Sequence, residues 1–386
     1  MKTRMTRMAR AFAVLMLVCM FMTAGHALAE VRTYTYGGSG SDELLDIAAS
    51  ADGRIVMTGY TNSTDGTLAS RTKSGHSGWA LCVDAQGNVL WSFCSRLGTA
   101  DTMAAPVFHE DGSVTVVLCA DRGAQDAYEL IRLDQNGEVV SRKTMLEGDT
   151  VQSMRIPRAT GGGYVLRQED ENLEPISFTL FDFDGEIIRT LYGWEVGGAY
   201  MAYLLAENHV LRGVYGGALL TAIDSQGYES ILAEPDDLIP NAGRYTVYLG
   251  LVSLPDGGVA AAGRVVESGK RQGRLTRWDA QGQVLFDWWV QMCELLDIAY
   301  TGSGFVSLLL PGEQGLSLGE GQFTWSLACF DENGVQTGSV PLPQTDSYNG
   351  VIAVLPDGSV AVAQNVTGED GSEDVCLTIV PKEDIP

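Results

Sequence analysis

The sequence predicts an all-β fold, a single closed ring of seven four-stranded sheets. Three observations carry this expectation. A short apolar run ending in Asp-x-x-Gly recurs six times, at Asp84/Gly87, Asp134/Gly137, Asp182/Gly185, Asp224/Gly227, Asp279/Gly282 and Asp331/Gly334, at intervals of 42 to 55 residues. A second turn signal precedes each of these and appears once more near the C-terminus. It reads Asp52-Gly53, Asp111-Gly112, Gly161-Gly162-Gly163, Asn208, Asp256-Gly257, Gly302-Ser303-Gly304 and Asp357-Gly358. Beyond the N-terminal segment no helical periodicity of useful length appears.

Taken in order, the chain opens with a basic stretch (Lys2, Arg4, Arg7, Arg10). An apolar run, Ala11 to Thr23, follows, then the small-residue site Ala27-Leu28-Ala29. This is the three-part layout of a secretory signal peptide, so residues 1–29 are expected to be a leader and 30–386 one domain. The apolar run is too short for a membrane span of about 20 residues, and no later stretch is long and apolar enough. Next comes Val31-Arg32-Thr33-Tyr34-Thr35-Tyr36, a strand pattern that belongs to no hairpin.

Each repeat then reads as four strands. Strand a leads to the first turn, strand b follows, a variable loop leads to strand c, and Asp-x-x-Gly joins c to d. Asp-Gly between apolar runs is a hairpin signal, because glycine supplies the positive φ that a tight turn needs. The residue before each Asp of the second turn is Val83, Leu133, Phe181, Ile223, Trp278 or Phe330. Four positions before it stand Ala80, Leu130, Phe178, Leu220, Leu275 and Leu327. Positions three apart point to opposite faces of a strand. Both faces of strand c are therefore expected to be buried, as in sheets covered on each side. Four-stranded units of about 40 to 55 residues match the blades of a β-propeller. The seventh unit runs through Val375 to Val380 and stops at Pro381 without a fourth strand. Seven first turns, six second turns and one orphan strand fit together if residues 31–36 supply strand d of the last blade, which leaves no open sheet edge. Rings of six or eight blades stay open, because the fourth unit is short.

Composition bounds the function classes. The 386 residues carry 25 Lys+Arg against 49 Asp+Glu, and 45% are hydrophobic. Loss of the leader would leave 21 basic against 49 acidic residues. Phosphate backbones would be repelled by such a chain, which argues against nucleic-acid partners. Six cysteines remain after the leader. Several lie in apolar strand runs, such as Ala80-Leu81-Cys82-Val83, and read as buried thiols.

The first unit reads Gly37-Gly38-Ser39-Gly40-Ser41-Asp42-Glu43, then Ile47, Asp52-Gly53 and Gly59-Tyr60-Thr61. It resembles the repeat of secreted bacterial β-propeller proteins, closely over residues 37–95 and afterwards mainly in the two turns. The resemblance implies a WD40-like or quinoprotein-like propeller of an extracellular or envelope protein, and no single activity. Trp79 to Trp91 is also similar to the docking repeat of quinoprotein dehydrogenases, in which a Trp after the Gly packs between blades. Trp91 fits that role and Phe286 is its nearest equivalent elsewhere. The adjacent Cys-Cys pair of many such enzymes is missing, so the match reads as shared blade packing rather than quinone binding. Ser50-Ala51-Asp52-Gly53 begins like a sialidase Asp box but lacks the aromatic.

Candidate site residues fall at the starts of strand a, which should ring one mouth of the central channel. Asp42, Asp101, Asp149, Glu294 and Asp346 hold roughly corresponding places in five units. Converging carboxylates there could hold a hard cation such as Ca²⁺, and otherwise no cofactor is expected. The alternative is that each accepts hydrogen bonds from its own turn. Trp194, Tyr200, Tyr203, Tyr245 and Tyr348 are the aromatic candidates for stacking on a sugar or gripping a peptide. The four histidines, His26, His76, His109 and His209, show no zinc spacing. The expectation is thus a secreted or envelope-associated, monomeric, non-catalytic binding propeller. Its partner would be an extracellular or envelope protein or a glycan, met at the channel mouth. The alternative is an enzyme of polysaccharide-active or quinoprotein-like type using the mouth carboxylates.

Overall fold

The computed structural model describes residues 31–386 except 69–74, 96–99, 122–125, 149–153, 156–161, 170–174, 193–201, 207–209, 215–219, 225–228, 234–243, 268–269, 292, 312–322, 346 and 369–370. The expected leader, residues 1–29, lies outside them. No described helix is long and apolar enough to cross a membrane.

The chain forms a seven-bladed β-propeller. After β1 (Arg32–Tyr36), blade 1 is β2–β5 (Asp42–Ala49, Ile55–Thr61, Ser77–Val83, Val89–Cys94) and blade 2 is β6–β9 (Thr102–Phe108, Val114–Asp121, Asp126–Leu133, Val139–Gly148). Blade 3 is β10–β13 (Met154–Arg155, Tyr164–Glu169, Pro175–Phe181, Ile187–Tyr192), and blade 4 is β14–β17 (Ala202–Leu205, Leu211–Val214, Leu220–Ile223, Glu229–Ala233). Blade 5 is β18–β21 (Arg244–Ser253, Val259–Glu267, Lys270–Trp278, Val284–Gln291), and blade 6 is β22–β25 (Cys293–Tyr300, Gly304–Pro311, Ser326–Asp331, Gln336–Pro341). Blade 7 has β26–β28 (Gly350–Val354, Val360–Thr367, Glu373–Val380) and takes β1 as its fourth strand, in the order β1-β28-β27-β26. Arg32 pairs Ile379 and Tyr36 pairs Val375 in an antiparallel ladder. The ring is closed by the segment expected to close it, and the count is seven.

In blade 1 the two turn signals of the sequence resolve into one geometry. At the a–b turn Ser50 N–H bonds the Arg54 carbonyl (2.8 Å), and Gly53 N–H bonds the Ser50 carbonyl (3.1 Å), with Gly53 at φ +88°. At the c–d turn Asp84 and Gly87 make the same pair of bonds (3.0 and 2.9 Å), with Gly87 at φ +75°. Both are three-residue loops closed by a left-handed glycine. They differ in where the aspartate sits. In c–d turns it comes first, and Asp84 Oδ1 accepts the N–H groups of Gln86 and Asn88. In a–b turns it comes third, as when Asp111 Oδ1 accepts the N–H of Ser113.

Strands face both ways because a blade has a neighbour on each side. In β4, Trp79, Leu81 and Val83 pack toward blade 7, while Ala80 and Cys82 pack toward blade 2. Every residue of β4 is buried. Among the described residues each of the seven blade interfaces carries its own apolar cluster. Each large aliphatic side chain so buried contributes about 1.5–3 kcal/mol.

One packing motif ties the outer strand of a blade to the c–d turn of the next. A Cβ on Gly137 would lie 2.8 Å from the Trp91 ring, and one on Gly334 would lie 2.5 Å from Phe286. Gly87 is covered in the same way by Tyr34 of β1, at 2.5 Å. Trp91 and Phe286 therefore dock as expected, and Tyr34, which sequence reading missed in this role, is their counterpart at the seam. Polar clamps accompany the rings: Arg54 donates to the Gly112 carbonyl, Arg212 to that of Gly257, and Arg277 to that of Glu332.

Candidate functional site

Antiparallel order puts the described a–b and c–d turns on one face of the ring, here the lower face. Each strand a begins, and each strand b ends, at the opposite, upper face. The inner strands are tied to one another. Asp297 of β22 accepts the Ile352 N–H of β26 at 2.8 Å, and Asn365 of β27 accepts the Leu44 N–H of β2 at 2.9 Å. Asn349 donates to the Leu44 carbonyl at 2.6 Å. Bulges interrupt β2 between Leu44 and Asp46 and β22 between Leu295 and Ile298. Such bulges free backbone groups and re-aim side chains, and these cross-blade bonds use them.

At the upper face, blades 5, 6 and 7 meet on a charged cluster. Glu294, the second residue of β22, is fully buried. Its carboxylate accepts Arg264 Nη1 at 2.6 Å, and also Arg271 Nη1 and the Tyr348 hydroxyl. Arg264 Nη1 donates in addition to the Tyr348 hydroxyl at 2.9 Å. The local reason is register. Arg264 stands opposite Gly273 and Val266 opposite Arg271, so both arginines lie on one face of the β19–β20 hairpin. Gly273 lies between them, and a Cβ there would come within 2.9 Å of Cys293 Sγ and 3.1 Å of Leu295. The missing side chain lets β22 approach, which brings Glu294 to the guanidinium groups. Tyr348 is half-buried, edge-on to Phe323 (6.1 Å) and tilted against Trp325 (6.5 Å). Burial and the Glu294 carboxylate push its hydroxyl pKa up. The arginine side chains keep 22% and 20% exposure while Glu294 keeps none. The cluster thus presents cation toward solvent and holds its anion underneath.

Two other expected carboxylates are elsewhere. Asp42, fully buried at the start of β2, accepts Thr61 Oγ1, Ser63 Oγ (2.7 Å) and the Gly38 N–H (2.8 Å). Burial raises its pKa, and these three hydrogen bonds oppose the rise. The Gly-Gly-Ser-Gly run is fastened to the same loop, because Gly40 N–H bonds Ser63 Oγ and Ser41 N–H bonds Asn62 Oδ1. Ser41 Oγ also reaches Glu373 of blade 7 at 2.7 Å. The motif is therefore a latch across the seam. Asp101 is buried and accepts Ser95 Oγ at 2.6 Å. Among the described residues no three His, Cys, Asp or Glu side chains converge to hold a metal ion. Asp149 and Asp346 lie outside those residues, as do Trp194 and Tyr200. Tyr203 is half-buried, edge-on to Phe178 at 5.3 Å. Tyr245 pairs with Val266 in the blade 5 ladder.

Of the residues singled out in the sequence, the structure brings together Glu294 and Tyr348, one a cation candidate and the other an aromatic one. Arg264 and Arg271 were missed. The available signal was a pair of arginines flanking a glycine at strand spacing, Arg264 facing Gly273 with Arg271 two residues before it.

No family model matches the chain, and no curated protein matches it significantly in sequence. Solved structures match it in fold. The chain is similar to the β-propeller domain of the Trilobed protease from Pyrococcus furiosus, which has an open velcro topology (TM-score 0.50, 10% identity, 89% of this chain and 94% of that one). It is similar to polysaccharide lyase Uly1 (TM-score 0.50, 12% identity, 93% and 94%). Puromycin hydrolase aligns at TM-score 0.48 and 14% identity, over 86% of this chain but 58% of its own. At these identities the likeness shows a β-propeller fold.

Proposed function

We propose that this chain is an exported, non-catalytic binding propeller, secreted or held at the cell envelope. It recognises an extracellular or envelope protein or a glycan on its upper face. The observation that carries this reading is the cluster at blades 5, 6 and 7, in which partly exposed guanidinium groups are fixed by a buried carboxylate. Such donors are preorganised, so a ligand meets them without the ordering cost of free side chains. The enzyme alternative needs a mouth carboxylate able to take or give a proton to substrate. Asp42 and Glu294 instead spend their oxygens on internal donors, which supports binding over catalysis.

A glycan and peptide array on the mature chain, run with and without calcium, tests the reading. A ligand is expected whose retention falls with Arg271→Gln and is unchanged by Val335→Ser, an exposed position at the end of the c–d turn of blade 6. Retention insensitive to every upper-face change rules out this face. Turnover of a polysaccharide that is lost in Asp42→Asn would favour the enzyme.

A further inference from the structure

We infer that Lys382–Pro386 is a releasable strap, which fills a notch at the foot of blade 6 and opens locally while the ring stays shut. The notch is read from register. Trp91 stands opposite Cys82 and Phe286 opposite Arg277, and each of those partners precedes the turn aspartate, Asp84 or Asp279, by two residues. The same position in blade 6, opposite Cys329 and two residues before Asp331, is Gly338. Trp91 and Phe286 each cover a glycine of the next c–d turn, but a ring at 338 would have none to cover. Strand β28 runs into Pro381 and a short 3₁₀ turn, Lys382–Asp384, in place of Asp-x-x-Gly. The dock is therefore reversed. A Cβ on Gly338 would lie 2.4 Å from the Pro386 ring, so here blade 6 supplies the glycine and the chain beyond blade 7 supplies the ring.

The strap is held lightly. Thr337 Oγ1 donates to the Pro386 carbonyl at 2.7 Å. Ile385 packs half-buried against the cluster between blades 6 and 7, and the Lys382 stem crosses Gly358. No residue of the 3₁₀ turn is buried, and Pro386 is exposed. The β1 closure is stronger, with five ladder pairs and the buried Tyr36. Local opening is easiest where few apolar contacts are buried and few hydrogen bonds are protected, so the strap releases while β1 holds. Between the strap and blade 6 lies a cavity of about 180 Å³, whose walls include Phe305, Cys329, Phe330, Ile385 and Pro386. Cys329 is 1% exposed and stands opposite Gly338. Opposed residues of antiparallel strands share a face, so the thiol lies on the side that Pro386 covers. Opening of the strap uncovers that thiol and the cavity. The strap lies at the lower face, where strand c of blade 7 ends, so the inference is independent of the binding reading above.

Cys329 makes the opening measurable. The folded full chain is treated with excess thiol reagent at fixed pH, and labelling at each cysteine is followed by peptide mass mapping. Reaction needs an accessible thiol, so the rate at Cys329 reports how often the strap is open. Cys329 is expected to label faster than the buried Cys82 and Cys293. Thr337→Val removes the hydrogen bond to Pro386 and should raise the Cys329 rate about fivefold, the scale of one net hydrogen bond. Thr337→Ser keeps the hydroxyl and should leave the rate unchanged. Gly338 is outside the left-handed region, so Gly338→Ala suits the backbone. Its methyl takes the place of the Pro386 ring and should raise the Cys329 rate about tenfold. Rates at Cys82 and Cys293 should stay the same in all three variants. A Cys329 rate indifferent to both Thr337→Val and Gly338→Ala would mean that the strap does not cover the thiol. A rate that rises only in step with Cys82 and Cys293 would mean that the ring unfolds as one unit. Either result overturns the inference.

Discussion

Tyr36 is the most informative place to perturb the ring. It is the last residue of β1 and is 5% exposed. It packs into the cluster shared by blades 7 and 1, among Leu44, Trp79, Leu81 and Leu377. Its hydroxyl donates to the Gly87 carbonyl at 2.8 Å. Truncation to alanine removes a buried aromatic and leaves a cavity between two blades that meet only if the ring is shut. Such changes cost about 3–5 kcal/mol. Tyr36→Phe keeps the ring and loses one hydrogen bond, at about 1 kcal/mol with the orphaned carbonyl adding to it. Thr35→Ala is the control, being exposed on the same strand and expected within about 0.5 kcal/mol. Urea denaturation followed by tryptophan fluorescence measures all three, because Trp79 and Trp91 of blade 1 are buried, the first against blade 7 and the second against blade 2. Native stabilities are typically about 5–15 kcal/mol, so the alanine variant should lose a large fraction. A Tyr36→Ala midpoint matching that of Thr35→Ala would mean the seam is not made by β1, and the closure argument would fall.

Other expectations follow from the same contacts. Gly87→Ala and Gly302→Ala both place a side chain at positive φ (+75° and +90°), yet only Gly87 lies under an aromatic ring. Both should lose about 1–2 kcal/mol, and Gly87→Ala measurably more in thermal melts; equal losses would remove the docking role of Tyr34. Acid should destabilise the ring. The Arg54 and Ser50 hydrogen bonds to Asp52, and the Ser113 hydrogen bonds to Asp111, lower both carboxyl groups to about 2. A lowered folded value means stabilisation complete above the ordinary value of 3.8 and lost as pH falls through about 2. Asp42, shifted upward, acts with the opposite sign. Melting temperature should therefore drop below about pH 4, with a smaller drop in Asp52→Asn/Asp111→Asn, and an unchanged drop there would place the acid sensitivity elsewhere. Cys82 and Cys293 are buried, and burial raises their thiols to about 12 and 11. A thiol reagent at neutral pH should label them only after unfolding, so rapid native labelling would contradict the blade packing.

The ring was legible in the sequence because its instructions are local. A turn aspartate and a left-handed glycine act within five residues, and burial on both faces leaves an unbroken apolar strand, so each signal can be read without knowing its neighbours. The orphan strand was legible by counting, since one strand too many at the head and one too few at the tail have a single economical solution. Tyr34 escaped notice because its partner, Gly87, is 53 residues away and belongs to another blade. The charged cluster escaped for the same reason, compounded by chemistry. Glu294 and Tyr348 were visible as the starts of inner strands, but their roles depend on Arg264 and Arg271, which lie on the middle strands of blade 5. Nothing in a strand's own pattern tells a buried carboxylate that binds a cation from one that holds two arginines in place. The deciding residue is Gly273, whose lack of a side chain sets how closely two blades approach. Gly273→Ala should therefore separate β22 from β20, weaken ligand binding and spare Asp42 and the seam. That outcome would show the cluster to be a property of blade spacing, which a single chain read in order does not display.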